Sequence, residues 1–398
     1  MIRAGPQAAA RIRAEGLAPG DIAVVPGAAG GPKGLILHGL DCFVFGEWLP
    51  RAPRERHFIG ASIGAWRMAA ALHPEPIGAL QRLVRLYAAQ RYPRRPSAAY
   101  VTGVCRDLVD QVVDGCAGAI LGHPRHRLSV LTVRGRGPLA RAETRRAEAI
   151  GFALAAAANA TGRARLARFL ERVVFHDPRD GVHWLSKRFD AFETRFSALS
   201  PANLRDALLA SGSIPLVLEA VTGIAHAPAG SYWDGGIIDY HLHLPYPRAD
   251  ALVLYPHFVD HIVPGWLDKA FRWRRARGSW LDNVVLVAPS PEFIAALPNR
   301  KLPDRGDFKR YGLDNEARIR DWESAIANRV KAAEQARLAR ENFQLVDYNF
   351  RAGVATQVEV SDASAALAGA ETARVAEGLN VQLALLKLAK AAGLFDPR

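Results

Sequence analysis

Ser62 lies at the centre of Gly60-Ala61-Ser62-Ile63-Gly64, a G-x-S-x-G pentapeptide. His57-Phe58-Ile59 before it reads as the end of a strand, and the Ala-rich run Ala65–Leu72 after it reads as a helix. A strand that turns so sharply into a helix forces its central residue into strained backbone geometry, which glycines on either side make sterically possible. The hydroxyl is then lifted clear of the sheet. The helix that starts there aims its free N–H groups and its positive dipole end at the same spot, so a negative charge developing beside Ser62 would be stabilised. In a chain with 34 glycines the pentapeptide can also arise by chance. The strand–turn–helix context is what favours a nucleophile.

A second glycine-rich stretch precedes it. Asp21–Val25 reads as a short buried strand, followed by Pro26-Gly27-Ala28-Ala29-Gly30-Gly31-Pro32-Lys33-Gly34 and an apolar helix from Leu35. Such a loop between strand and helix binds anions. A P-loop is excluded, because Pro32 separates glycine from lysine and Gly34 stands where a hydroxyl residue is needed. A dinucleotide loop would lack its first glycine, and no acidic residue ends a second strand about 20 residues on. The remaining reading is an oxyanion loop that lends backbone N–H groups to a neighbouring strand–helix unit.

The third stretch is Ala210-Ser211-Gly212-Ser213-Ile214-Pro215, followed by Tyr232-Trp233-Asp234-Gly235-Gly236. Asp234 ends a short aromatic strand, and the two glycines after it remove side-chain bulk. A carboxylate there can approach another backbone closely. Taken alone, Asp-Gly reads first as an ordinary turn between two strands.

The elements that must position these residues follow from periodicity. Strand-like segments recur at Leu128–Val133, Val173–His176, Ala251–Tyr255 and Asn283–Ala288, separated by helical stretches such as Ala142–Ala158 and Pro201–Ala210. Pro74–Tyr100 reads as helical with basic residues, and Val101–Gly122 as a helical hairpin or loop. Strands alternating with helices at this spacing argue for an α/β fold with a largely parallel sheet covered on both faces.

Composition sets the limits. The 398 residues are 49% hydrophobic, enough for one large α/β core or two smaller ones. The net charge of +13 rests on 44 Arg and 8 Lys, which suits an anionic partner such as a phospholipid surface or nucleic acid. Cys42, Cys105 and Cys116 are odd in number and form no C-x-x-C pair, which argues against a disulfide scaffold or zinc finger and for a reducing compartment. The N-terminal segment reads as basic and without an export signal. The longest apolar run, around Ala149–Ala160, is short of the ~20 residues that cross a bilayer. The expected location is cytoplasmic or peripheral at a membrane.

Taken together, four stretches stand in the order of one family. The chain resembles the patatin-like phospholipases, serine acyl hydrolases, through Gly30-Gly31-Pro32-Lys33-Gly34, Gly60-Ala61-Ser62-Ile63-Gly64, Ala210–Pro215 and Asp234-Gly235-Gly236, over about residues 20–245. The resemblance implies a three-layer α/β/α fold and a Ser–Asp dyad without a catalytic histidine. On that basis Ser62 is the nucleophile and Asp234 its base. Gly30, Gly31, Lys33, Gly34 and Ile63 would form the oxyanion hole, with Gly60, Gly64, Gly235 and Gly236 as the glycines of elbow and dyad. It implies a lipid or other acyl-ester substrate and no metal or organic cofactor. Two other readings stay open: an α/β-hydrolase triad using His241, His243, His257 or His261, and a non-catalytic lipid- or protein-binding module.

His241 and His243 form an H-x-H pair that, on an extended segment, would point both imidazoles to one face. Such a pair could bind a metal or sit near the dyad, but such histidines are more often surface or satisfied core residues. Gly265–Trp280 mixes Trp266, Phe271, Trp273 and Trp280 with Arg272, Arg274, Arg275 and Arg277. It reads either as a contact for an anionic membrane or as a basic surface helix. No helix-turn-helix, zinc or RNA-binding signature points to nucleic acid. Ile319, Trp322, Ile326 and Val330 form an apolar stripe on a charged helix that must dock on the body or on a partner. The expected organisation is a basic segment 1–20, a catalytic α/β domain 20–290, and a mainly helical region 291–398 packed on it, closing with helices over Ala365–Leu394.

Overall fold

The computed structural model describes residues 1–140, 144–179, 184–185, 188–247 and 251–327, and beyond these 344, 346–348, 351 and 356–366. Among the described residues nine strands form one sheet: β1 (Ile2–Ala4), β2 (Ile22–Gly27), β3 (Arg56–Ala61), β4 (His126–Gly135), β5 (Leu170–His176), β6 (Thr194–Ala198), β7 (Tyr232–Asp234), β8 (Leu252–Pro256) and β9 (Val284–Val287). Their order is β1-β9-β8-β2-β3-β4-β5-β6, with β7 on β4. From β9 to β4 every pairing is parallel. β1, β5 and β7 run antiparallel to the neighbour that receives them.

Period-two alternation sends side chains to opposite faces of this sheet. Val25, Phe58, Leu128, Val130, Leu252 and Leu254 enter one core. Val24, Ile59, Leu131, Val253 and Tyr255 enter the other. The helices are α1 (Pro6–Glu15), α2 (His38–Phe43), α3 (Ile63–Ala71), α4 (Pro76–Ala88), α5 (Ala98–Val113), α6 (Ala117–Leu121), α7 (Arg145–Thr161), α8 (Leu204–Gly212), α9 (Pro291–Ala295), α10 (Gly306–Tyr311) and α11 (Asn315–Ala327). Helices α3, α4, α5 and α8 bury Trp66, Leu80, Leu83, Leu108 and Leu208 on the first face. Shorter segments carrying Tyr240, Leu244, Phe258, Ile262 and Leu297 cover the second. The fold is a three-layer α/β/α sandwich.

Local chemistry explains several boundaries. Ser97 Oγ accepts the Tyr100 N–H at 3.1 Å and starts α5, and Thr144 Oγ1 accepts the Ala147 N–H at 3.2 Å and starts α7. The helical stretch read over Pro74–Tyr100 is two helices, interrupted between Ala88 and Ala98 where Pro93 and Pro96 lack the N–H a helix needs. The apolar helix expected from Leu35 begins as a 3-10 turn over Gly31–Leu37 and turns α-helical at His38. Gly265–Trp280 is not a helix. It folds as three short 3-10 turns, Trp266–Asp268, Arg272–Arg274 and Ser279–Leu281, with Gly278 at φ +98° before the last. Strands β1 and β6 escape a sequence reading because each is a short edge element with little apolar run.

The stripe on α11 docks on the body. Ile319, Trp322 and Ile326 are buried, the latter two in a cluster with Leu35, Val84 and Ala88. Arg318 donates to the carbonyls of Ala88, at 3.1 Å, and Gln90. Val330, and the closing helices expected over Ala365–Leu394 past residue 366, lie outside the described residues. Among the described residues no helix is long and apolar enough to cross a membrane.

Two glycines in helices make opposite expectations. A Cβ on Gly64 would overlap the carbonyl oxygen of Gly27, whereas one on Gly103, within α5, would meet nothing within 4 Å. Gly64→Ala should cost about 3 kcal/mol or more through forced separation of α3 from β2, despite the better helix former. Gly103→Ala should raise stability by about 0.5–1 kcal/mol. Denaturant unfolding of both variants checks the contrast.

Candidate active site

Strand β4 brings the site together. Its residues His126–Leu131 pair with Arg56–Ala61 of β3, and on that same edge β7 takes over with Asp234 opposite Thr132. The last residue of β3 and the last residue of β7 therefore sit against consecutive residues of one strand. Ser62 follows β3 directly.

Ser62 has φ +57° and ψ −133°, a conformation sparsely populated by non-glycine residues and costing on the order of 1–3 kcal/mol. It is the N-cap of α3, and only 3% of its surface is exposed. Its Oγ donates to Asp234 Oδ2 at 2.8 Å. Asp234 Oδ1 accepts the Gly236 N–H at 2.7 Å, which fixes the carboxylate plane. Burial pushes the Asp234 carboxyl above the usual carboxylate range, while Arg305, the Ser62 hydroxyl and the Gly236 amide pull it back. A Cβ on Gly235 would overlap the Leu131 carbonyl oxygen, and one on Gly236 would sit 2.5 Å from Ala29 Cβ. Gly60 is equally crowded, its Cβ site lying 2.5 Å from the Ala65 nitrogen. Glycine is the one residue that lets these backbones approach.

Segment Ala210–Pro215 clamps both partners. Ser211 Oγ accepts the Ser62 N–H at 2.8 Å and donates to the Leu131 carbonyl at 2.6 Å. The Ser213 carbonyl accepts the Asp234 N–H at 2.9 Å. On the far side of α3, Arg67 and Asp41 form a buried two-bond ion pair, both bonds 2.6 Å, that ties α3 to α2.

The loop Gly30–Gly34 lies beside this centre. Gly30 is the N-cap of the 3-10 turn and Gly31, at φ +56°, its first residue. Among the described residues no protein acceptor pairs with the Gly30, Gly31 or Ile63 amides. Gly34 packs on the Ile63 side chain, its Cβ site 3.0 Å from Cγ2. A cavity of about 280 Å³ opens over Asp234 and is bordered by Gly30, Lys33, Gly236, Ile214, Pro215 and Tyr240. Gly31, Gly34 and Ile63, like Ser62, adjoin these lining residues in the chain or across the Gly34–Ile63 contact and do not themselves border the cavity.

A family model for patatin-like phospholipases matches residues 40–242, about half of the chain. The chain belongs to the patatin-like phospholipase family. The match takes in Ser62 and Asp234, and it begins after the Gly30–Gly34 loop, some twenty residues later than the resemblance read from the sequence. No curated protein matches the chain. Patatin-like phospholipases are lipid acyl hydrolases, and lipid acyl hydrolysis is the coarse function that membership carries.

The histidines and Asp239 are engaged elsewhere in this patatin-like fold. Asp239 pairs with Arg172 at 2.6 and 2.8 Å beside Asp190, inside the sheet's far core. The one-face geometry read for His241 and His243 does not form, because Leu242 between them has φ +39° and breaks the alternation of an extended chain. His241 packs on Tyr240, His257 and Phe258, and His243 on Trp280. Burial lowers His243 to about 4 and His257 to about 3, so both are neutral. His261 Nδ1 lies 3.0 Å from Asp260 Oδ1. Ser62 Oγ reaches Asp234 with no imidazole between them.

The sequence reading missed Lys269 and Arg305, which also border the cavity from segments without a motif. It quoted Ser211 without a role. The Ser211 hydroxyl supplies one: Ser211→Ala leaves the buried Ser62 N–H without its acceptor and should cost about 1–3 kcal/mol in denaturant unfolding.

Proposed function

We propose that the protein hydrolyses carboxylic esters of lipids through a Ser62–Asp234 dyad and an acyl-enzyme. The observation that carries this reading is the 2.8 Å hydrogen bond from buried Ser62 Oγ to Oδ2 of Asp234, a residue that borders the cavity. Asp234 takes the hydroxyl proton as Ser62 Oγ attacks the ester carbonyl. The raised affinity of the buried carboxylate for a proton narrows its gap to a serine hydroxyl, which favours that transfer. The oxyanion of the tetrahedral intermediate is held by the amides of Gly30, Gly31 and Ile63, with Lys33 and Gly34 in the same turn and the start of α3 adding its dipole. Collapse expels the alcohol, which takes the proton from Asp234. Water, activated by the same carboxylate, then releases the acid.

Contact with an anionic membrane through residues 265–280 belongs to the same proposal. Trp273 is 76% exposed, and Arg272, Arg275 and Arg277 beside it are exposed. Trp266 of the same segment borders the cavity, so an indole and three guanidiniums at the headgroup level would hold its mouth at the lipid. Trp273→Ala should weaken binding to anionic vesicles, with little change for vesicles of zwitterionic lipid, in a flotation or sedimentation assay.

Turnover of a short p-nitrophenyl ester should fall by several orders of magnitude in Ser62→Ala and equally in Asp234→Asn, since an amide offers no base. Replacing His241, His243, His257 or His261 by Gln should keep turnover within about tenfold. A folded His variant as inactive as Ser62→Ala would restore a triad. The acid limb of the pH–rate profile should lie above the ordinary carboxylate range, because Asp234 acts only when deprotonated. Arg305 favours that charged form, so Arg305→Gln should move the limb to higher pH.

A further inference from the structure

Three cations converge on the cavity over Asp234. Lys33 enters from the glycine-rich loop, Lys269 from the turn after Asp268, and Arg305 from the residue before α10. All three lie outside the 40–242 segment that matches the family. Among the described residues none of their side chains forms an ion pair or a hydrogen bond. Aromatic and backbone contacts place them instead. Lys33 Nζ stands 5.9 Å from the Phe258 ring centre, and Lys269 Nζ 4.0 Å from that of Tyr240 and 5.6 Å from that of Trp266. The Arg305 guanidinium lies on Gly31, its Nε 3.2 Å from where a Cβ would be.

The acidic residues of the cavity, Asp234 and Asp304, offset the three cations in part and form no ion pair with them. Asp304 is held by Lys301 at 3.1 Å and by the Gly306 N–H at 2.7 Å, and Asp234 is bound to Ser62 and Gly236. Lys269 keeps solvent contact as a residue, but its ammonium is crowded over two rings. Loss of water around it lowers its pKa to about 7, with Lys33 and Arg305 adding repulsion and Asp234 and Asp304 opposing. Lys33 and Arg305 disfavour the Lys269 ammonium, and an anion bound among the three would relieve that repulsion.

We propose that Lys33, Lys269 and Arg305 form a subsite for a terminal phosphate on the ester substrate, so that the site prefers acyl esters ending in a phosphate dianion. This rests on the ester-hydrolase reading above. A phosphate monoester brings nearly two charges and three acceptor oxygens, which one guanidinium fork and two ammoniums can meet together; a carboxylate brings one charge and two oxygens. A headgroup that caps its phosphate with a quaternary ammonium would carry a fourth cation into the cluster. At about 280 Å³ the cavity lies at the lower edge of ligand-pocket size, suited to a glycerol phosphate and not to a bulkier zwitterionic headgroup.

The test uses full-length Ser62→Ala protein, whose ligands are not consumed, in isothermal titration with three esters of one short acyl chain below micellar concentration. These are a monoacylglycerol phosphate, the corresponding monoacylglycerol, and the choline-capped lysophospholipid. The phosphate ester should bind at least about tenfold tighter than either of the others, and Lys269→Gln or Arg305→Gln should each remove about tenfold of that preference. Arg305→Lys should keep part of it, which separates charge from fold, and melting curves verify that each variant is folded. Equal affinity for the three esters, or a preference unaffected by both Gln variants, overturns the subsite. Inorganic phosphate should compete more weakly than the phosphate ester; equal or tighter binding would mean a site for free phosphate and would overturn the proposal. Wild-type protein that binds the phosphate ester selectively without hydrolysing it supports the subsite and sinks the hydrolase reading.

Discussion

One strand edge carries the arrangement. β3 leaves the edge of β4 at Leu131, and β7 occupies the next position at Thr132, so the residue after β3 and the residue ending β7 must meet. Ser62 and Asp234 are 172 positions apart in the chain, and consecutive rungs of one hydrogen-bonded ladder set their separation. The pairing is also why β7 needs only three residues. Its work is to present one carboxylate, and the Ser213 carbonyl and Ser211 hydroxyl hold the two ends at that spacing.

Close backbone approach is the second constraint. Gly27 and Gly64 face each other so tightly that neither admits a Cβ, and Gly235 lies on the Leu131 carbonyl. These contacts bring β2, the start of α3 and the 3-10 turn after Gly30 around one point. Amides of Gly30, Gly31 and Ile63, without a protein acceptor among the described residues, then lie near a buried carboxylate. Electrostatic interactions strengthen in such surroundings, and so does the cost of leaving a polar group unpaired. The strained Ser62 conformation persists because α3, tied by Arg67 to Asp41, and the Ser211 bond over-determine it.

Chain beyond the family match finishes the cavity. Trp322 and Ile326 dock α11 against Leu35, Val84 and Ala88, with Trp322 Nε1 bonded to Asp307 at 3.0 Å. Asp307 belongs to α10, so the docking that buries the apolar stripe also places Arg305 over Gly31. Core packing and site charge are thus coupled through one short helix.

The elbow at Ser62 was legible because it is local: two glycines, a strand before and a helix after lie within some fifteen residues. The parallel core strands were legible as well, because strands covered on both faces read as apolar runs such as Asp21–Val25 and Asn283–Ala288. The edge strands β1 and β6 were not, since a half-covered edge needs no such run. Nor could the sequence tell that Leu242 would turn to φ +39° and part His241 from His243, or that 265–280 would break into turns. What the sequence determined by itself was the set of local backbone shapes, because glycine, proline and apolar period act on neighbouring dihedrals. Only the tertiary structure decided that Lys33, Lys269 and Arg305 share one cavity with Asp234. That proximity comes from strand pairing and helix docking between distant segments, where no short-range pattern records which side chains will meet.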